Sequence, residues 1–464
     1  MGVYTSTNPA TGEVLATYPE INDDDVDELV RHAATTHTQW AARPAQQRSA
    51  VLRRVAEIHR ERVDELAALL TLEMGKPITQ ARNEVNLVAS IYEYYADHLE
   101  EFLSDHPLPI AGEGTAVVHS EPIGALLGVM PWNFPYYQVA RFAAPNLALG
   151  NTVIVKHSRN CPQSALAIEE VLREAGVPEG GYANAFISSD QVAGVIGDER
   201  IAGVSLTGSE RAGEAIGAAA GRALKRCVLE LGGSDPFVVL DDADIAKAAD
   251  VAAAGRIYNS GQACTASKRF IVAEEIYDDF LPRFVDAMKA YTPSDPTTDE
   301  CTLGPLATAG AAQEVDEYVR DAVSHGARVL LGGREEGDES AFYPPTVLVD
   351  VPESSRAYHD ELFGPVAIVH SAADEEAAVR MANDSVFGLA GTVFSGSRER
   401  ARAVADRIHT GMVGINSLVR SAPDLPFGGV KRSGVGRELA KDGFIAFANQ
   451  KLVRDVEAAE VGKR

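Results

Sequence analysis

The spacing of hydrophobic residues differs between two parts of this chain. From residue 23 to about residue 103, apolar residues recur at helical spacing with charged residues between them, most clearly in 52–63 and 78–95. Beyond Pro122, short apolar runs alternate with segments of helical period. The pattern therefore predicts a helical N-terminal part followed by an α/β fold.

The short apolar runs predict buried strands, and their alternation with helices favours a mostly parallel, doubly wound sheet. We expect strands at 124–130, 151–156, 204–207, 227–231, 236–240, 269–272, 327–331, 347–349, 366–369 and 392–394. We expect helices at 136–149, 161–175, 243–258 and 277–290. Residues 115–120 predict an exposed strand or hairpin arm. Residues 444–453 predict a last strand without a local partner, which favours strand exchange between subunits.

Length and composition narrow the class of protein. With 464 residues, of which 45% are hydrophobic, the chain is long enough for at least two domains. It has no long apolar run and no signal-peptide pattern at its start. Its four cysteines are widely spaced and form neither a metal-site nor a disulfide pattern. We therefore expect a soluble, reduced, cytoplasmic protein.

The formal net charge of −25 excludes general attraction to nucleic acid or to an anionic membrane. Acidic residues concentrate in segments expected at the surface, such as 22–28. A solvated acidic face explains this charge, and so does adaptation to high internal salt, where screening removes self-repulsion. Activity and thermal stability measured against potassium chloride separate these two hypotheses.

Three polar side chains match the chemistry of a carbonyl group. Cys264 lies in a loop of small residues, where Gly261 allows a tight turn. Glu230 ends a predicted strand just before two glycines, and Asn133 stands between two prolines. Covalent chemistry on a carbonyl requires a thiol nucleophile, a carboxylate base and an amide donor of this kind. Our hypothesis is that the rest of the chain brings a nicotinamide cofactor to Cys264.

Six motifs in this order make the chain resemble the aldehyde dehydrogenase family over essentially its whole length. They are PWNFP at 131–135, GSERAG at 208–213, ELGG at 230–233, GQAC at 261–264, ELFGP at 361–365 and PFGGVKRSGVGRE at 426–438. Within the family, segments 139–145, 156–158 and 232–236 look most like the short bacterial-type succinate-semialdehyde dehydrogenases.

The resemblance implies an α/β fold in three parts. A Rossmann-like cofactor-binding domain would span 1–103 and 123–231, and an α/β catalytic domain 232–439. A small β oligomerisation element would comprise 104–122 and 440–464, in a homodimer or homotetramer.

The resemblance also implies the catalytic roles. Cys264 would attack the aldehyde as a thiolate, and Glu230 would activate the water that hydrolyses the thioester. Asn133 and the Cys264 backbone N–H would hold the oxyanion. As alternatives, Asn133 caps the helix that follows it, and Glu230 forms an ion pair at a strand end.

For the cofactor, Gly208 and Ser209 open a helix after a strand, where free N–H groups favour a pyrophosphate. The resemblance places Lys156 at the adenine-side ribose, Glu361 at the nicotinamide ribose and Phe363 at the nicotinamide end. It adds further cofactor contacts at Trp132, Ser158 and Leu231. No metal is expected.

Arg159 is an informative departure from the family, because many members have a glutamate there that repels a 2′-phosphate. An arginine removes the repulsion and supplies a cation. We therefore expect NADP to be accepted and preferred over NAD; a solvent-facing arginine without a role is the alternative.

The resemblance implies that Arg141 holds the substrate carboxylate, and its spacing would let it share a helical face with Asn133. Arg420 and Ser421 are weaker candidates for the same role. The alternative for Arg141 is an interdomain salt bridge. A second arginine found in some relatives is Tyr258 here. Glu438 matches a proposed proton relay in the family, but its usual lysine partner is Phe142, so we do not expect that relay.

The sequence as a whole predicts NAD(P)-dependent oxidation of an aldehyde to a carboxylic acid through a cysteine thioester. Succinate semialdehyde is the favoured substrate. The alternatives are glutarate semialdehyde or a neutral aliphatic aldehyde, a catalytically idle scaffold, and a thiol acyltransferase without a nicotinamide.

Overall fold

The computed structural model describes residues 2–456, and the last part of the predicted oligomerisation element, 457–464, lies outside the described residues. None of the helices in this range has the length and apolar character that a membrane span requires. Helices and strands are numbered in chain order. The helices are α1 Asp23–Ala41, α2 Ala45–Glu61, α3 Val63–Met74, α4 Ile78–Leu103, α5 Pro135–Leu149, α6 Pro162–Glu174, α7 Ser189–Gly197, α8 Glu210–Arg222, α9 Ile245–Ile257, α10 Glu274–Lys289, α11 Ala309–Ser324, α12 Arg356–His359, α13 Glu375–Asn383, α14 Arg398–Ala405 and α15 Ala440–Ala446.

The strands belong to four sheets. They are β1 Val3–Thr7, β2 Val14–Pro19, β3 His106–Pro107, β4 Thr115–Pro122, β5 Ala125–Val129, β6 Thr152–Lys156, β7 Tyr182–Asn184, β8 Ile201–Thr207, β9 Arg226–Glu230, β10 Asp235–Val239, β11 Ser267–Ala273, β12 Arg328–Leu331, β13 Thr346–Val349, β14 Val366–Ala372, β15 Ala390–Phe394, β16 Met412–Ile415, β17 Gly434–Val435 and β18 Ala448–Asp455.

The first large sheet has six strands in the order β17-β9-β8-β5-β6-β7. All its pairings are parallel except β17 with β9. Its two faces carry separate apolar cores, one shared with α2 to α6 and the other with α1, α7 and α8. Helices on both faces of a mostly parallel sheet make the doubly wound arrangement that the alternating pattern predicted.

The second large sheet has seven strands in the order β12-β13-β14-β11-β10-β15-β16. Only its edge pair β12 and β13 is antiparallel among the strands described. Helices α9 and α10 pack on one face and α13 and α14 on the other. The predicted α/β fold with two large units is therefore confirmed. The exact domain boundaries stay a prediction, since β17 comes from the predicted catalytic segment yet pairs with the first sheet.

The third sheet has three strands in the order β18-β4-β3, and it changes the bounds of one predicted strand. Residues 444–446 belong to α15, and β18 pairs antiparallel with β4 of its own chain, from Ala448 opposite Pro122 to Asp455 opposite Thr115. The strand therefore begins four residues later than predicted, and it has no local partner, as expected; strand exchange between subunits stays a prediction. Its partner lies more than 300 residues earlier, where the local pattern gives no sign of it.

Helix α5 begins directly after the segment that contains Asn133. Every one of its residues is buried, and Pro135 occupies its first position, where the missing N–H costs nothing. The buried carboxylate of Glu84 accepts hydrogen bonds from the backbone N–H groups of Tyr136 (3.0 Å) and Tyr137 (3.1 Å). A negative charge at a helix N-terminus is favourable, so Glu84 fixes the start of α5 and the turn before it.

Candidate active site

A cleft of about 280 Å³ lies where the two large units meet around Cys264. Its walls carry two of the three predicted catalytic residues, Cys264 and Asn133. The predicted cofactor residues on the same walls are Trp132, Gly208, Ser209, Leu231, Glu361 and Phe363. Gln138, Thr207 and Glu314, which the sequence did not single out, also line it. The structure therefore gathers most of the predicted site at one place.

The loop before the thiol is held by side chains that bind its backbone carbonyls. Buried Arg256 donates to the carbonyl oxygens of Gly261 and, at 3.0 Å, Ser267. The amides of Asn133 (3.0 Å) and Asn259 (3.1 Å) donate to the carbonyl of Gln262. These bonds hold a backbone that is unusual in itself, because Asn259 and Ser260 both have positive φ angles.

The thiol residue is half-buried in the wall of the cleft. Burial raises the pKa of Cys264 to about 12, although the cations of Arg141 and Lys268 act in the opposite direction. The thiol is therefore protonated at neutral pH in this state. A proton has to leave before Cys264 becomes the nucleophile that the sequence predicts.

Asn133 is placed by a buried ion pair that the sequence did not indicate. The ammonium of Lys76 contacts the Glu84 carboxylate and donates to the backbone carbonyl of Asn133 at 3.0 Å. The same carbonyl accepts a hydrogen bond from Asn259 at 2.9 Å. Lys76 and Glu84 are both buried, so this pair fixes the backbone from which the Asn133 amide reaches the thiol loop.

Glu230 ends β9 but does not belong to the cleft wall that contains Cys264. It is 2% exposed, and neither carboxylate oxygen has a hydrogen-bond partner among residues 2–456. Burial raises the pKa of this carboxyl well above its usual range; Arg141 partly offsets the effect and Glu438 adds to it. A Cβ atom at residue 428 would lie 2.7 Å from Glu230 Oε1, so a side chain larger than that of Gly428 would clash with this carboxyl group.

Arg141 is fully buried and already has partners. Its guanidinium pairs with Glu438, donates to Thr207 Oγ1 at 3.1 Å and to the Tyr137 hydroxyl at 3.3 Å, and lies over the Phe427 ring. The structure therefore shows an ion pair of the kind that was the alternative role for Arg141. Glu438 is thus tied to Arg141 rather than to a lysine.

Of the two other predicted substrate residues, Ser421 contacts Tyr137 and Arg420 precedes Ser421 in the chain. Ser421 accepts a hydrogen bond from the Tyr137 hydroxyl at 2.7 Å, which links it to Arg141. Arg420 is exposed. Tyr258, which stands where some relatives have an arginine, stacks on Phe134 with 5.9 Å between ring centroids. This side of the site therefore contains hydroxyl groups and one exposed cation.

Three predicted cofactor residues lie away from the thiol, at and after the end of β6. Arg159 pairs with Glu20, and its side chain remains 47% exposed. Lys156 and Arg159 both face the ring of Tyr4, at 5.6 and 5.8 Å. Burial lowers the pKa of Lys156 to about 8, and Arg159 adds to the effect. The hydroxyl of Ser158, beside them, donates to Asn160 at 2.7 Å.

Glu361 has defined partners in the cleft. Its carboxylate accepts a hydrogen bond from the backbone N–H of Gly233 at 3.1 Å and pairs with buried Lys268 at 3.1 Å. One feature of the sequence could have drawn attention to Lys268. It is a lysine next to a predicted apolar strand, in a chain with few lysines. No feature of the sequence shows which carboxylate would pair with it.

Comparison with known proteins agrees with this geometry. The model of the aldehyde dehydrogenase family matches residues 2–453. A protein of Deinococcus radiodurans named succinate-semialdehyde dehydrogenase, NADP(+), is 50% identical over 97% of this chain and 94% of its own length. An Escherichia coli protein named succinate semialdehyde dehydrogenase, NAD(P)+, is 44% identical over 97% of each chain.

Solved structures are equally similar. The crystal structure of succinic semialdehyde dehydrogenase from Streptococcus pyogenes, in complex with NADP+ as the cofactor, superposes with a TM-score of 0.96. The two chains are 43% identical, and the match covers 98% of this chain and all of the other.

Proposed function

The chain belongs to the aldehyde dehydrogenase family, and we propose that it oxidises succinate semialdehyde to succinate with NADP. The observation that carries this proposal is the single cleft that holds the Cys264 thiol and the Asn133 amide beside Ser209 and Glu361. Relatives named for this activity are 42–50% identical over nearly the whole chain.

The residues of the cleft fit a nicotinamide cofactor. Ser209 caps the N-terminus of α8, a helix of 13 residues, and a helix N-terminus favours a pyrophosphate. Glu361 offers a carboxylate to ribose hydroxyls, and Phe363 packs against Trp132 with 5.6 Å between ring centroids. When bound, the nicotinamide accepts the hydride that leaves the substrate carbon.

The first half of the proposed mechanism forms the thioester. The Cys264 thiol gives its proton to solvent water, and its sulfur bonds to the aldehyde carbon. The negative charge that develops on the aldehyde oxygen is stabilised by the Asn133 amide and the Cys264 backbone N–H. Loss of the hydride from that carbon restores the carbonyl and leaves the acyl group on sulfur.

The second half releases the acid. Glu230 takes a proton from a water molecule, whose oxygen adds to the thioester carbon. The carbon–sulfur bond breaks, the electron pair returns to the Cys264 sulfur, and the carboxylic acid leaves. A carboxyl group without hydrogen-bond partners and with a raised pKa is suited to take up this proton.

We propose that Arg141, Arg420 and Ser421 hold the carboxylate of the substrate, although they are not among the residues that line the cleft. Because Arg141 is buried, we propose that it acts through the hydroxyl of Tyr137, to which it donates. Arg420 then supplies the exposed charge.

The preference for NADP is proposed to depend on Arg159, whose half-exposed guanidinium offers charge-assisted hydrogen bonds to a 2′-phosphate. Arg159→Glu should lower the ratio of kcat/KM for NADP to that for NAD at least tenfold. Arg53→Glu is the matched control, because Arg53 is 51% exposed and also pairs with one carboxylate, Asp97. Arg159→Glu protein that kept its preference would contradict this assignment.

We also propose that the chain forms a homodimer or homotetramer through its third sheet. β18 is an edge strand of that sheet in the described part of the chain, with Leu452 and Val453 exposed. Light scattering during size-exclusion chromatography measures the molar mass of the assembly. A monomer at micromolar concentration would contradict the proposal.

Initial rates of cofactor reduction test the function as a whole. We expect succinate semialdehyde with NADP to give the highest kcat/KM, ahead of glutarate semialdehyde and butanal, at low or high potassium chloride. A preference for butanal would retain Cys264, Asn133 and Glu230 but reject the carboxylate site. No reduction with any aldehyde, at any salt concentration, would reject the function and favour an idle scaffold or an acyltransferase.

A further inference from the structure

We propose that Lys268 is a positioning residue for this reaction, which connects the backbone of the thiol loop to the Glu361 carboxylate. The inference rests on the proposed function, because that function gives Glu361 its role at the nicotinamide ribose. Lys268 is 0% exposed and lies at the start of one of the central strands of the second sheet, β11.

The three contacts of the ammonium group carry the proposal. Lys268 Nζ donates to the backbone carbonyls of Cys264 at 2.6 Å and of Ala263 at 3.1 Å. It lies 3.1 Å from Glu361 Oε1. A lysine ammonium has three N–H donors, so these three oxygens use its full capacity. The Lys268 side chain thus contacts both the backbone of Cys264 and the carboxylate of Glu361, the residue assigned to the cofactor.

The two carboxylate oxygens of Glu361 have different neighbours. The backbone of Gly233 donates to the same oxygen that Lys268 contacts. A Cβ atom at residue 232 would lie 2.6 Å from the other oxygen, Oε2, so that side of the carboxylate is bounded by backbone. A buried charge without a partner destabilises the fold, so buried Lys268 needs the Glu361 carboxylate as its partner. Glu361 at the same time lines the cleft.

Arg256 offers an internal comparison. It is a second fully buried cation, and it binds carbonyls of the same loop, at Gly261 and Ser267. In the described part of the chain it makes no hydrogen bond or ion pair with Glu361. If Lys268 only stabilised the loop, removing either cation should have the same kind of effect. If Lys268 joins the loop to the cofactor site, the effect of its removal should depend on Glu361 much more strongly than the effect of removing Arg256.

The position of Lys268 also affects the thiol. Burial disfavours the Cys264 thiolate, Arg141 and Lys268 are the cations that favour it, and Glu361 and Asp235 oppose it. The Lys268 ammonium donates to the backbone carbonyl of Cys264 at 2.6 Å, and a nearby opposite charge favours the ionised form of a group by about one pKa unit or more. Loss of the Lys268 charge should therefore lower the thiolate fraction about tenfold at a fixed pH.

A double-mutant cycle on the full-length protein tests the connection. Lys268→Met keeps the length of the side chain without its charge, and Glu361→Gln removes the carboxylate. The dissociation constant of NADP is measured by quenching of tryptophan fluorescence, since Trp132 lines the cleft. We expect each variant to weaken NADP binding at least tenfold, and the double variant to be no weaker than the weaker single variant. Arg256 experiences the charge of Glu361 without bonding to it, so Arg256→Met combined with Glu361→Gln should give losses closer to additive than those of the Lys268 pair.

Alkylation of Cys264 by iodoacetamide at pH 8, followed by mass spectrometry, is a second readout that needs no cofactor. Lys268→Met should slow alkylation about tenfold, and Lys268→Arg should restore it to near the wild-type rate. Should the methionine variant not fold, Lys268→Gln takes its place in both measurements.

Additive losses for the pair Lys268 and Glu361, or an alkylation rate of Lys268→Met within twofold of wild type, would overturn the proposal. Failure of the proposed function looks different. Wild-type protein that does not bind NADP at all would reject that function, whereas tight wild-type binding with additive losses rejects the role of Lys268 alone.

Discussion

Glu230 and Glu361 are the two carboxylates assigned to this reaction, yet their surroundings are opposite. Glu361 is held by a backbone N–H and by the buried ammonium of Lys268. Glu230 is nearly as buried as the core and has no hydrogen-bond partner among the described residues, and its pKa is raised by that burial. A fixed carboxylate is suited to bind a cofactor, and a carboxyl group without partners is suited to exchange a proton.

The difference between them teaches that residue type alone does not assign a role at this site. Lys268 pairs with Glu361, while Arg141 and Glu438 alter the charge around Glu230. Substitutions at these positions should therefore affect proton transfer, cofactor binding and pH dependence separately.

Glu230→Gln should have the largest effect. An amide cannot accept the proton of the attacking water, so steady-state turnover should fall about a thousandfold. The amide is similar in size to the carboxyl group, so the fold is expected to persist. Initial rates with succinate semialdehyde and NADP measure this loss. Turnover within tenfold of wild type would show that another group acts as the base.

Glu361→Gln should act on binding instead. A hydrogen bond to a charged group contributes about 2 kcal/mol, so the dissociation constant of NADP should rise about thirtyfold. Fluorescence titration measures the change. For Glu230→Gln as the control, we expect NADP affinity close to that of the wild type. Equal losses of affinity in both variants would remove the distinction between the two carboxylates.

Glu438→Gln should shift the pH dependence of kcat. The base works when it is ionised, so kcat rises with pH through the pKa of Glu230. Burial raises this pKa, Arg141 lowers it and Glu438 raises it further. Loss of the Glu438 charge should therefore move the rising limb about one unit to lower pH. The Glu361→Gln variant should leave the limb in place; a shift in the opposite direction would contradict this electrostatic assignment.

Asp235→Asn should have the smallest effect, on stability. Burial raises the pKa of Asp235 to about 7 from 3.8, with Lys268 partly offsetting it. Between these values the unfolded chain releases the proton and the folded chain keeps it, so wild-type stability falls as pH rises. Asp235→Asn has no carboxyl group at this position, so this part of the fall in stability is absent. Its Tm should therefore exceed that of the wild type by about 2 °C more at pH 8 than at pH 5. A difference independent of pH would contradict the assignment.

Much of this arrangement could be predicted from the sequence, because it depends on local patterns. The alternation of apolar runs and helical segments indicated the α/β fold. The small-residue loop at Cys264 and the prolines around Asn133 marked two groups that the structure places on one cleft.

The features that could not be predicted depend on contacts between distant segments. The spacing of Arg141 from Asn133 suggested a shared helical face, which was wrong because Asn133 lies before α5. The spacing also could not show that Glu438, almost 300 residues later, is the partner of Arg141. The same reason explains β18, whose partner strand β4 lies early in the chain. Lys268 is adjacent to a predicted strand, yet its function depends on Glu361.

Rapid mixing of succinate semialdehyde and NADP with wild-type, Glu230→Gln and Glu361→Gln protein separates the two carboxylates within a single turnover. Absorbance of the reduced cofactor follows the reaction. We expect Glu230→Gln to form about one equivalent of reduced cofactor per active site rapidly and then almost stop, because the thioester forms but is not hydrolysed. We expect Glu361→Gln to show slow formation without a burst. A Glu230→Gln enzyme without a burst, or two variants with the same time course, would contradict the division of roles between the two carboxylates.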